Sequence, residues 1–168
     1  MSQGLCPSCG AAVNLTAANN ADETSPIVGV QAVVVGNSIK YKESEVIEAI
    51  KAQFTDENAK KFLDSYWQKK RRETGIKETG FCYWASHAYF HFMGGKSAGL
   101  RTMKWLNPAG KNKGHFWVEK ANVEAPVDLT SKQYGDKFEH YKDGGPASPR
   151  KSGKIQEFIS LVEAELAS

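Results

Sequence analysis

Polar positions almost vanish from the chain between Gly80 and Gly95, where Phe81, Cys82, Tyr83, Trp84, Ala85, Ala88, Tyr89, Phe90, Phe92 and Met93 follow one another with few interruptions. A helix apolar on every face has no side to turn to water, so this stretch predicts a buried helix around which the rest packs. Glycines bracket it, and a cysteine stands in its first turn. Upstream, Val46, Ile47, Ile50 and Phe54 recur at helical spacing behind Ser44, a residue that can cap a helix start. Thr55 then opens a second helix, with Asp56 and Glu57 in its first turn and a stripe of Ala59, Phe62, Leu63, Tyr66 and Trp67. Lys69 to Arg72 end it and read as a solvated helix terminus.

Downstream the period changes. Residues 100–106 alternate loosely, 115–119 form a short β-prone run, and 125–129 form another. Turn residues separate these runs, which predicts a three-stranded antiparallel meander. Residues 131–134 suggest a helical turn, and 135–149 are loop-rich. Ile155, Phe158, Ile159, Val162 and Leu166 give a final amphipathic helix over about 151–167. At the other end, residues 11–26 are small and polar without periodicity, the pattern of a flexible linker. Valine-rich residues 28–35, then Gly36-Asn37 and the alternating 38–42, read as a β-hairpin. The expected organisation is a tail over residues 1–26 and one α+β domain over 27–168.

Composition narrows the class. Twenty-two basic and nineteen acidic residues leave a net charge of only +3, a balance that gives no electrostatic case for nucleic acid as a partner. Three cysteines are too few, and odd in number, for a disulfide scaffold, and they fit a reducing compartment. The absence of a signal-like segment or a long apolar run adds to the expectation of a cytoplasmic protein without a membrane partner.

The candidate chemistry follows from position. A thiol at a helix start feels the positive end of the helix dipole, which favours its anion as a nucleophile. His115 opens the second predicted strand, and Asp128 stands near the end of the third. Adjacent antiparallel strands can set them side by side, giving Cys82, His115 and Asp128 the order nucleophile, base, orienter. First-turn amides of the Cys82 helix are available to an oxyanion. Two further sets carry weaker signals. Cys6 and Cys9 form half of a tetrahedral zinc site, so zinc at Cys6/Cys9 is a candidate cofactor and a zinc-dependent nucleic-acid adaptor an alternative function. His87 and His91, four apart on one helix, form a possible metal pair without the intervening carboxylate of metalloprotease helices.

Three blocks carry a family resemblance: Gly80-Phe81-Cys82-Tyr83-Trp84-Ala85, His115-Phe116-Trp117-Val118-Glu119 and Val127-Asp128-Leu129-Thr130. Over residues 78–134 they resemble the transglutaminase-like core of the papain-like cysteine-enzyme superfamily. That core has a glycine and cysteine opening a helix, then H-x-W-V-E, then D-P-T. The chain is also similar to small bacteriophage proteins of the same plan, which would place it in host cytoplasm or a virion. The resemblance implies a papain-like α+β fold, with a cysteine-headed central helix packed on a short antiparallel sheet. It implies Cys82 as nucleophile, His115 as base and Asp128 as orienter, with no cofactor required for catalysis. The function implied is acyl transfer from a protein or peptide amide through a thioester, by a thiol peptidase, an amidase or deamidase, or a transglutaminase-like enzyme. Tyr83 and Trp117 are assigned to the substrate groove, although Trp117 also suits a core position. Leu129 departs from the family's proline. No glutamine precedes the cysteine in residues 75–79 to serve as oxyanion donor; Lys77, Thr79 and the more distant Gln68 are the substitutes at hand. The alternative is a catalytically silent papain-like scaffold with a binding or structural role in a phage.

Overall fold

The computed structural model describes residues 40–108, 114–135, 138–148 and 152–168. The readings for Cys6 and Cys9, the linker and the hairpin up to residue 39 lie outside the described residues. The described part is α+β. Five helices, α1 (Glu43–Ala52), α2 (Asp56–Phe62), α3 (Ser65–Thr74), α4 (Cys82–Phe92) and α5 (Gly153–Leu166), accompany three short strands, β1 (Leu100–Leu106), β2 (Gly114–Lys120) and β3 (Gly145–Pro146). Among these residues no helix is long and apolar enough to cross a membrane.

Helix α4 occupies the centre. Ala85, Ala88 and Tyr89 are buried among Val46, Ile50, Phe62, Phe158 and Val162, which α1, α2 and α5 contribute. Its exposed exceptions lie near the C-terminal end, where His91 reaches solvent. Phe81 just before the helix stacks on Phe54, with ring centroids 5.0 Å apart. Ser152 caps α5 by accepting from the Ile155 amide at 3.3 Å, so the apolar stripe of that helix starts one turn inside a fixed end.

The single long helix expected after Thr55 is two helices. Thr55 caps the first, accepting from the Asn58 amide at 3.1 Å. Asp64 caps the second, accepting from the Trp67 amide at 3.0 Å. A short carboxylate that satisfies the orphan amides of a new helix competes with continuing the old one, which is why the stripe breaks at Leu63. The basic run at the end of α3 is also not uniformly solvated. Arg71 is buried; its guanidinium donates to the Phe54 carbonyl at 2.7 Å and pairs with Asp56 at 3.3 Å. There it helps line a basic cleft of about 780 Å³ with Lys51, Lys60, Arg72 and Lys77.

The sheet order is β2-β1-β3, all antiparallel. Trp105 pairs with His115 and Met103 with Trp117. The meander is therefore corrected: residues 125–129 add only the Val118–Val127 bridge beside β2, and the third strand comes from Gly145–Pro146 beside β1. Pro126 and the compact Asp128 turn prevent a longer ladder there, because proline offers no N–H.

Alternation along β2 separates two apolar clusters. Phe116 packs on Tyr83 and Val118 joins the main core, whereas Trp117 joins Met103 and Phe138 in a second cluster. Gly144 closes over Trp117, leaving only 2.1 Å between an added Cβ and the indole edge.

Gly80 sets the approach to α4. Its φ is +87°, and a Cβ there would lie 2.8 Å from the Trp67 Cβ. Both the left-handed conformation and the lack of space demand glycine. Gly80→Ala is expected to lower the unfolding free energy by about 1–3 kcal/mol. Urea denaturation followed by tryptophan fluorescence checks this; an unchanged midpoint contradicts the packing described.

Candidate active site

The residues predicted from the sequence meet at the seam between the two clusters. Gly80 and Phe81 turn the chain so that Cys82 becomes the first residue of α4. His115 is the second residue of β2, and the bridge at Val127 leaves Asp128 directly beside it. His115 Nε2 lies 2.6 Å from Asp128 Oδ2. The Cys82 side chain hydrogen-bonds to the same ring. The other ring nitrogen, Nδ1, lies 3.2 Å from Gln133 Nε2.

Asp128 is held from every side. Its Oδ2 accepts from His115 and from the Tyr141 hydroxyl at 2.7 Å; its Oδ1 accepts from the Thr130 amide at 3.0 Å and the Thr130 hydroxyl at 3.2 Å. Burial alone would raise the carboxyl's pKa. It is outweighed by the bond to His115 and the ring's charge, with Tyr141 and Thr130 adding to them, so Asp128 is held below the usual aspartate range. The ring obeys the same balance. Burial opposes the imidazolium, but the hydrogen bonds to Asp128 and Cys82 and the electrostatic attraction that goes with them raise His115 to about 9.

Aromatic rings fix the imidazole mechanically. Phe138 and Tyr134 lie 4.5 and 4.7 Å from it, centroid to centroid. Tyr134 is itself anchored by donating to the Gly114 carbonyl at 3.1 Å. Both His115 (0% exposed) and Cys82 (4% exposed) are buried.

A cavity of about 480 Å³ lies alongside, lined by Tyr66, Trp67, Thr79, Trp105, Gln133 and Tyr134 among others. The two residues assigned to a substrate groove lie elsewhere. Trp117 is fully buried, and Tyr83 packs between His87 and Phe116; neither lines that cavity. The metal pair is corrected too. His87 is buried, with Nδ1 2.8 Å from the Tyr83 carbonyl and burial lowering its pKa, whereas His91 is exposed. Among the described residues no group of three His, Cys, Asp or Glu side chains is arranged to hold a metal ion.

The substitutes considered for an oxyanion donor are also placed elsewhere. The Gln68 amide donates to the Leu63 carbonyl at 2.8 Å. Lys77 lines the basic cleft. Thr79 is buried with its hydroxyl 3.2 Å from that of Thr74. The residue missed in the sequence is Gln133. Its Nε2 is 3.2 Å from His115 Nδ1, and its Oε1 accepts from the Gly80 amide at 3.2 Å. A glutamine in the short turn that follows the aspartate block was the available signal.

No protein-family model, curated protein or solved structure matches the chain. A ring held up to about 9 is charged at neutral pH and loses its proton only in alkaline solution. Histidine ring NMR titration is expected to show this for His115, with Asp128→Asn moving the midpoint down toward the ordinary value of about 6.5. A wild-type midpoint at or below the ordinary value contradicts the described electrostatics.

Proposed function

We propose that the chain is a cysteine-dependent acyl-transfer enzyme of papain-like, transglutaminase-like plan, acting on protein or peptide amides through Cys82, His115 and Asp128. The observation that carries this reading is the convergence on one imidazole of a thiol from a helix start and a carboxylate from a distant turn. Such an arrangement has little structural purpose, since burying two ionisable groups costs more than burying apolar ones of similar volume.

The chemistry follows from the ring's two nitrogens. Asp128 accepts a hydrogen bond from Nε2–H and stays ionised, so Nδ1 is the nitrogen that receives the proton of the Cys82 thiol. The sulfur attacks the amide carbon, forming an S–C bond while the carbonyl pair moves onto oxygen. First-turn amides of α4, which have no acceptor within the helix, face that charge. When the pair returns, the C–N bond breaks and His115 gives its Nδ1 proton to the departing amine. The resulting thioester is released by water or by an acceptor amine, with His115 again taking a proton. The aromatic walls of the adjoining cavity exclude water in part, which suits either outcome.

One observation favours a second reading, a catalytically silent scaffold. Both the thiol and the imidazole are almost fully covered, so a substrate reaches them only if neighbouring side chains move. Alkylation of the folded protein by iodoacetamide distinguishes the two, with peptide mass spectrometry separating Cys82 from Cys6 and Cys9. The enzyme reading expects Cys82 to react, and His115→Ala to slow it by about tenfold or more. A Cys82 that is inert while the protein is folded, or that reacts equally in both proteins, supports the scaffold.

A further inference from the structure

The basic cleft described above shares no lining residue with the 480 Å³ cavity of the candidate active site. Lys51 from the end of α1, Lys60 from α2, Arg71 and Arg72 from the end of α3 and Lys77 from the loop that follows bring five cations to one opening. Asp56 is the one carboxylate among its described lining residues. Cations nearby are matched locally. Lys61, next to Lys60, pairs with Glu157 at 2.8 Å, and Lys69 and Lys70 both reach Glu73 at 3.9 Å. Lys60, Arg72 and Lys77 have no ion pair among the described residues, and Lys51 has only the exposed Glu48, at 3.6 Å.

Arg71 is the cation largely withdrawn from water. Its side chain is 9% exposed, yet its charge is met only by the Phe54 carbonyl and by Asp56, whose own side chain is 90% exposed. Both contacts use the same nitrogen, Nη2, and the buried Nε has no acceptor among the described residues. A carboxylate in open water offsets a buried cation poorly, because solvent screens the pair. Asp128 shows fuller compensation in the same fold, with four donors on its two oxygens. The bond to Phe54 also holds the guanidinium in one orientation, so little ordering remains for a ligand to impose.

The occupant that answers five cations is an anion of several charges. One carboxylate leaves most of them unmatched, whereas linked phosphoryl groups present many charged oxygens over a short length. A guanidinium takes such oxygens in its fork, and lysines take them as point charges. A volume of about 780 Å³ lies in the range of small-molecule sites. The cations surround one opening, whereas a nucleic-acid backbone is tracked by a stripe of them. We propose that this cleft binds a compact ligand carrying two or more linked phosphoryl groups, inorganic or attached to a nucleoside. Arg71 is its buried, fixed cation and Lys60, Arg72 and Lys77 its exposed ones. The ligand displaces Asp56 from Arg71, and that carboxylate turns wholly to water.

Titration calorimetry with the full chain tests this, using inorganic tripolyphosphate in about 0.15 M salt, where exposed charges more than roughly 8 Å apart are screened. Saturable binding at one site is expected. The triple variant Lys60→Gln, Arg72→Gln and Lys77→Gln leaves Arg71 in place and should weaken binding by about tenfold or more. A control triple variant of the same net charge, Lys96→Gln, Arg101→Gln and Lys142→Gln, changes exposed cations outside the cleft and should stay within about twofold of wild type. Asp56→Asn removes the competing carboxylate and should tighten binding, which a merely damaged helix start would not do. Each variant is checked for folding by circular dichroism. ATP titrated in parallel identifies the source: a nucleotide site binds it more tightly than tripolyphosphate, and a site for an inorganic chain does not. Absent or unsaturable binding overturns the proposal, as does equal weakening in the two triple variants or an Asp56→Asn protein that binds no more tightly. Tighter binding of a short oligothymidylate than of either compact ligand overturns it in favour of a nucleic-acid surface.

Discussion

A carboxylate and an imidazole, both withdrawn from water, hold each other in place 2.6 Å apart, and the rest of the site takes its form from that pair. Desolvating two such groups costs several kcal/mol per ion unless the geometry and the remaining hydrogen bonds compensate. Compensation is visible atom by atom. Asp128 accepts from His115, Tyr141 and twice from Thr130, which leaves little of its acceptor capacity unused. Around the ring, Phe138, Tyr134 and Trp117 remove the room in which it might turn. The result is an imidazole with one nitrogen committed to a carboxylate and the other beside the Gln133 amide.

That commitment explains where the site lies. A polar pair fits neither apolar cluster, so it sits between the one built on α4 and the one built on Trp117. The connections that close the seam are short and polar: Glu78 to Lys132, Gly80 to Gln133, Tyr134 to Gly114. They tie the loop before the cysteine to the turn after the aspartate, so Cys82, His115 and Asp128 are fixed by elements that also brace one another. A further polar set pins the far end of the sheet, where Lys120 and Tyr89 both donate to Glu43.

Much of this was legible in the residues. The all-apolar run from Phe81 to Met93 announced a buried helix because no other disposition would hide it. The stripe of Ile155, Phe158, Ile159 and Val162 announced a second surface for that helix to meet. Cys82, His115 and Asp128 stood out because each opens or ends an element, where side chains can converge from different parts of a fold. What stayed hidden depends on contacts distant in sequence or on small local competitions. Asp64 splits a helix through one hydrogen bond that the apolar stripe does not register. Gly145–Pro146 lacks any strand signature and pairs only because β1 has a free edge. Arg71 looked like one cation among four until the Phe54 carbonyl and Asp56 gave it partners. Gln133 did not stand out before the fold was known, since only the folded turn brings it to the ring.

The central claim is that Asp128 acts on the sulfur solely through His115. A double-mutant cycle tests this most directly. The rate of Cys82 alkylation by iodoacetamide is measured in wild type, Asp128→Asn, His115→Ala and the double variant, each checked for folding by circular dichroism. The account requires Asp128→Asn to slow alkylation when His115 is present and to have no further effect once the imidazole is gone. Equal slowing in both backgrounds, or none in either, would contradict it.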